Sequence, residues 1–140
     1  TFFWGDWHRD SVFGVERASR ISPTASSLKK GITFTIHNDA PVVPPDMIRL
    51  LWATTNRVTR SGQVLGEEQK ISTLDALKAI TVNAAYQYFE EDKKGSIDVG
   101  KQADLVILSK NPLSVPSIEL LDIKVERTIA RGNTVFRRSN

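Results

Sequence analysis

The spacing of apolar and polar residues changes along the chain, and each change marks an element. Residues 1–22 mix aromatics with charges at neither a period of 2 nor one of 3.6, which predicts a strand end running into an irregular loop. Residues 26–30 can form one helical turn, stopped by Gly31. In residues 32–37, Ile-Thr-Phe-Thr-Ile-His, β-branched and aromatic side chains alternate as in a strand. Pro41 and the pair Pro44-Pro45 end that strand, because proline has no N–H to give to a ladder.

Two helices are expected next. Met47, Leu50, Leu51 and Val58 recur at near-helical spacing over residues 46–60, with Pro45 near the start and Ser61-Gly62 at the end. Ser72 and Asp75 match a capping box, and Leu74, Leu77, Ile80 and Ala84 continue one apolar face to about residue 88. Beyond the charged run at 90–94 the period falls to 2 in residues 96–101, and residues 103–108 are nearly all apolar. A helical turn is expected at 117–121, and residues 123–136 read as two strands joined at Arg131-Gly132-Asn133, a hairpin. The order predicts an α/β fold in two parts: residues 1–89, with strand and helices, and a β-rich appendage over 90–140.

Composition narrows the function classes. With 140 residues the chain is one ordinary domain or a piece of a larger one. Lys and Arg number 19 against 16 Asp and Glu, but they are scattered, so no basic stripe for nucleic acid is expected. No apolar run approaches the roughly 20 residues of a membrane span. There is no cysteine, which excludes disulfides, thiolate metal sites and a thiol nucleophile. The opening Thr1-Phe2-Phe3-Trp4 carries no initiator methionine or signal-like segment, so the chain reads as cut from a longer, cytoplasmic protein.

Candidate chemistry concentrates at His37-Asn38-Asp39-Ala40-Pro41, where the expected strand ends. Residues two apart on a strand share a face, so His37 and Asp39 can aim at one metal ion or one reacting proton. The plainer alternative makes Asp39 a turn cap and His37 a satisfied strand-end histidine. Asp6, His8 and Asp10 form a second alternating cluster, which can equally be a solvated loop anchored by Trp4 and Trp7. No serine has the histidine-plus-acid context of a nucleophile, and no glycine loop for phosphate follows a strand.

The ordered motifs Trp4-Gly5-Asp6-x-His8, His37-x-Asp39-Ala40-Pro41-Val42, Arg60-Ser61-Gly62 and Gly95-Ser96-Ile97-x-x-Gly100-Lys101-x-Ala103-Asp104-Leu105-Val106 resemble the C-terminal third of amidohydrolase family 3. The resemblance covers nearly the whole chain. It implies the last strand and helices of a (β/α)8 barrel in residues 1–89 and strands of the accompanying small β-sandwich in 90–140. It also implies a metal-dependent hydrolase of non-peptide C–N bonds, in which a divalent ion, zinc, activates water. By that resemblance Asp39 binds metal and acts as the general base or acid, while His37, Asp6 and His8 line the pocket of a small-molecule substrate. Asp104 is carried over as a structural residue.

A full barrel needs roughly 200 residues or more, and most of the family's metal ligands lie before the matching region. The chain alone is therefore expected to hold metal weakly and to be inactive. An alternative reading takes it as a non-catalytic regulatory or interaction domain, since some relatives carry names such as exoenzyme regulatory protein. A strand at 32–37 without barrel neighbours would expose an edge, so either pairing between two copies of the chain or a rearranged segment 1–35 is expected.

Overall fold

The computed structural model describes residues 1–139. The chain begins with helical turns: α1 (Gly5–Trp7), a π-helical turn (His8–Phe13) and α2 (Gly14–Ala18). This corrects the strand end and loop expected there. No apolar stripe betrayed the helices because they bury small residues, Gly5 and Ala18, in place of large ones. The contact at Gly5 is close enough that a Cβ there would lie 2.8 Å from Thr59 Cγ2. In the π-helical turn, whose bonds span five residues, the rings of His8 and Phe13 stack at 5.5 Å.

Helix α3 (Thr24–Lys29) ends before Gly31 as expected. Residues 32–37 have no regular secondary structure and, among the described residues, belong to no ladder, so the expected barrel strand is absent as a paired strand. The physical reason is a missing neighbour. The Phe34 carbonyl accepts from Asn83 Nδ2 (2.9 Å), and the Ile32 N–H donates to the Ser27 carbonyl (3.0 Å), instead of joining a strand. Of the segment's three apolar residues, Phe34 and Ile36 pack against the core formed by Leu51, Trp52, Ile71, Ala76, Leu120 and Ile123, while Ile32 is exposed.

Helix α4 (Met47–Asn56) is capped by Asp46, whose carboxylate accepts from the Arg49 N–H at 3.0 Å. It stops four residues before the expected end. Arg57 turns left-handed (φ 55°), and the β-branched Val58 pairs with Val64 across a tight turn at Ser61-Gly62. The Trp52 indole N–H donates to the Ile118 carbonyl (3.1 Å), and Asn56 Nδ2 donates to the Ser117 carbonyl (2.9 Å), which fixes α4 to the 3-10 turn Ser117–Asp122.

The second expected helix is two, α5 (Thr73–Ile80) and α6 (Val82–Gln87). Ser72 caps α5 by accepting from the Asp75 N–H (3.1 Å), as the sequence motif requires. The break falls at Thr81, whose hydroxyl bonds back to the Leu77 carbonyl at 2.7 Å. Residues 96–101 form turns, not the expected strand. Lys101 Nζ donates to the Glu91 carbonyl and to Ser96 Oγ, both at 2.6 Å, and these bonds curl the segment.

The one sheet among the described residues is antiparallel, in the order β1 (Leu105–Leu108), β2 (Val125–Ala130), β3 (Asn133–Arg137). Leu105 faces Ile129, Thr128 faces Phe136, and Ala130 faces Asn133 at the hairpin end. Arg131 (φ 50°) and Gly132 (φ 80°) make the two-residue turn, one residue shorter than expected. Asp104 Oδ1 accepts from the Arg131 N–H at 2.8 Å, so this acid braces the turn. No described helix is long and apolar enough to cross a membrane.

Candidate functional site

Anchoring of Phe34 and Ile36 on the core delivers residues 37–39 to the surface at a defined place, beside α4. Asp39 takes the left-handed conformation (φ 58°), which an aspartate tolerates better than most residues, and its carbonyl accepts from the Val42 N–H at 2.8 Å. Asn38 Nδ2 reaches Met47 Sδ at 3.3 Å, tying the turn to the first residue of α4. His37 and Asp39 are both exposed.

The two residues meet as walls of one cleft of about 210 Å³. Its other sides come from the N-terminal residues Phe2, Phe3 and Trp4, from Val42 and Val43, and from Arg49 and Leu50 on α4. The N-terminal aromatics are held from behind. Phe2 meets Trp52 edge-on at 5.7 Å and Phe3 at 5.1 Å, while the Arg49 guanidinium lies 5.2 Å from the Phe2 ring centre. His37 also lines a neighbouring cleft of about 390 Å³, together with Phe34, Leu50, Thr54 and Arg57.

Asp6 and His8 stand apart from this cleft. The Asp6 carboxylate accepts from the Ser61 hydroxyl (2.7 Å) and the Ser61 N–H (2.9 Å), and Arg9 Nη2 lies 3.2 Å away. The bonds from the Ser61 and Thr59 hydroxyls, with the Ser61 N–H and the Arg9 charge behind them, lower its pKa to about 2. This carboxylate is occupied in holding the N-terminal turns to the loop at 59–61. The His8 ring lies between Trp7 (5.3 Å) and Phe13 (5.5 Å), and its buried Nδ1 has no hydrogen-bond partner. Asp10 is bonded by Arg9 Nη2 at 2.8 Å, and this bond lowers its pKa.

Two residues of consequence escaped the sequence reading. Arg57, 1% exposed, donates from Nε to the Leu65 carbonyl (2.7 Å), from Nη2 to Ile21 (2.7 Å) and from Nη1 to Ser22 (3.1 Å). Burial lowers its pKa. Only its place after a polar Thr-Thr-Asn helix end hinted at burial. Arg49 sits one residue before the apolar Leu50-Leu51 pair, and nothing in its spacing marked it as a cleft residue.

A catalytic zinc usually keeps three protein ligands. His37 and Asp39 are two, and among the described residues no group of three His, Cys, Asp or Glu side chains lies close enough to hold an ion. The residues present do not complete a metal centre.

The model of the Amidohydrolase family matches residues 1–136, and the chain belongs to that family. An N-substituted formamide deformylase of Arthrobacter pascens is 27% identical over 143 aligned positions, covering 99% of this chain and 26% of that protein. An imidazolonepropionase of Thermoplasma acidophilum is 42% identical over 67 residues, 47% of this chain and 16% of that protein. The crystal structure of an amidohydrolase from Thermotoga maritima superposes with a TM-score of 0.63 at 31% identity, covering 82% of this chain and 26% of its own. The chain thus spans about a quarter or less of the length of these relatives. Amidohydrolases combine a (β/α)8 barrel with a β-sandwich, and the mixed helix and sheet found here agrees with that architecture.

Proposed function

We propose that this chain serves in a hydrolase that cleaves non-peptide C–N bonds, with Asp39 at the reacting centre and residues 2–4, 42–43 and 49–50 as part of the substrate pocket. In this reading residues 1–89 belong to the barrel and 90–140 to the β appendage. A divalent ion, zinc, is held mainly by ligands outside these 140 residues, and the chain alone is inactive.

The observation that carries the reading is the joint placement of His37 and Asp39 on one preformed cleft, in a chain of the Amidohydrolase family. The relative named as an N-substituted formamide deformylase supports a C–N bond as the target. The chain's own part in the reaction follows from the carboxylate. Asp39 Oδ takes a proton from the water that attacks the carbonyl carbon, then returns it to the nitrogen as the C–N bond breaks. Water is consumed, a carboxylic acid and an amine leave, and Asp39 ends ionised as it began. His37, on the same cleft, can donate a hydrogen bond to the carbonyl oxygen as negative charge builds there.

The decisive experiment is Asp39→Asn in the longer protein that contains this chain. The change removes the basicity of the carboxylate at nearly constant volume. A loss of hydrolysis of at least about 100-fold, with the circular dichroism spectrum unchanged, is expected. Retained hydrolysis refutes the assignment.

A further inference from the structure

Two arginines face one groove next to the Asp39 cleft. The groove is lined by Phe2, Phe3, Pro44, Asp46, Arg49 and Arg60, and it shares Phe2, Phe3 and Arg49 with that cleft. The Arg49 guanidinium lies 5.2 Å from the Phe2 ring centre, and that of Arg60 lies 5.3 Å from the Phe3 ring centre. The two rings meet edge-on at 5.1 Å, and Phe2 rests on the buried Trp52. The floor between the cations is therefore apolar and held from behind. Contact with a π face restrains a guanidinium without giving its N–H groups an oxygen, so the donors remain for a ligand.

The charge of the groove is unbalanced. Asp46 is its one carboxylate against two cations. The Asp46 Oδ1 accepts from the Arg49 backbone N–H at 3.0 Å to cap α4, and Oδ2 lies 3.6 Å from Arg49 Nε, too far for a hydrogen bond. Among the described residues no other carboxylate comes within 4.0 Å of the Arg49 guanidinium, and none comes within that distance of Arg60. The supports of both side chains are rigid. Thr59, 1% exposed, gives its N–H to the Gln63 carbonyl (2.8 Å), and Ser61 donates its N–H and hydroxyl to Asp6 (2.9 and 2.7 Å), so the backbone is fixed on either side of Arg60. Arg49 belongs to the first turn of α4. Fixed supports lower the ordering cost of a ligand that bridges the two guanidinia.

From this arrangement we infer that the groove is a binding site for an oxyanion, a carboxylate or phosphate group whose oxygens accept N–H groups of Arg49 and Arg60 above the Phe2 and Phe3 rings. A guanidinium presents its donors as a planar fork matched to two oxygens of one such group. The site stands apart from the chemistry assigned to Asp39, because it requires neither proton transfer nor a metal. The aromatic floor adds contact for a carboxylate carried on a ring and none for free phosphate, so the two sources of the oxyanion are separable.

Binding tests the site without turnover. The 140-residue chain, labelled with nitrogen-15, is titrated with sodium phosphate and with sodium benzoate, sodium chloride holding the ionic strength constant. Two-dimensional NMR follows the backbone amides and the arginine Nε–H groups. At least one probe should give saturable shifts at residues 44–49 and 59–61 and at Nε of Arg49 and Arg60. Arg60→Gln removes the charge at an exposed position and should raise the half-saturating concentration at least about 5-fold, with the rest of the spectrum retained. Arg60→Lys keeps the charge, loses the fork and should raise it at least about 2-fold. Tighter phosphate identifies a phosphate group as the occupant and tighter benzoate a carboxylate on an apolar body; either result supports the site. No saturable shift with either probe, equal shifts at other basic residues such as Lys29 and Lys30, or an unchanged half-saturation in Arg60→Gln would overturn it. Since no hydrolysis is read, that failure is distinguishable from failure of the Asp39 assignment.

Discussion

The knot around Arg57 yields a prediction that separates backbone strain from steric exclusion. Gly62 and Gly66 both have positive φ, 83° and 67°, so an alanine at either place bears the left-handed penalty of about 1 kcal/mol. Their surroundings differ. A Cβ on Gly62 would meet nothing within 4 Å, whereas a Cβ on Gly66 would lie 1.9 Å from the Ser19 carbonyl oxygen and 3.2 Å from Arg57 Nη2. To reach ordinary contact the two backbones must separate by roughly 1.5 Å. Neither can move freely. The Leu65 N–H donates to the Arg57 carbonyl (3.0 Å), and its own carbonyl takes Arg57 Nε, while two and three residues after Ser19 the carbonyls of Ile21 and Ser22 take the other guanidinium nitrogens. Separation therefore breaks at least one hydrogen bond to a buried charge, about 2 kcal/mol. Gly62→Ala should cost about 1 kcal/mol and Gly66→Ala about 3–5 kcal/mol. Urea unfolding followed by tryptophan fluorescence, with unchanged m-values, measures both. Costs within about 1 kcal/mol of each other would refute the argument from the Ser19 contact.

Two further expectations follow from the side chains. Asp6 has its pKa lowered from 3.8 to about 2. Its contribution to stability is therefore complete above about pH 4 and is lost as the pH falls towards 2; Asp6→Asn should flatten the decline of the unfolding midpoint over that window and leave the slope between pH 5 and 7 unchanged. Because among the described residues no three His, Cys, Asp or Glu side chains group to hold an ion, calorimetric titration of the chain with zinc should show no stoichiometric binding at submicromolar affinity, and such binding would show that the residues present do complete a metal centre.

Much was legible from local chemistry. The Asp46 and Ser72 caps, the apolar faces of α4 and α5, and the hairpin at Arg131-Gly132 each depend on residues close in sequence, so periodicity and turn residues announced them. The candidate acid was legible for the same reason, since Asp39 lies two residues from His37 at the end of a patterned run. Family membership was readable too, because ordered motifs over the whole chain carry more information than any one of them.

The tertiary structure decided the rest, wherever a residue's state depends on a partner far along the chain. A strand is a relation between two segments, and the alternation in residues 32–37 says nothing of whether a second strand lies alongside; among the described residues none does. Asp6 and His8 were candidate pocket residues in the sequence, and in the fold Ser61, 55 residues away, takes up the first, while the rings of Trp7 and Phe13 flank the second. Phe2 and Trp4 became cleft walls because Trp52, some 50 positions later, holds Phe2 in place. Local sequence specifies which conformations and protonation chemistry a residue can support; long-range packing selects among them, because the free energy of burial and hydrogen bonding is realised only when the distant group arrives.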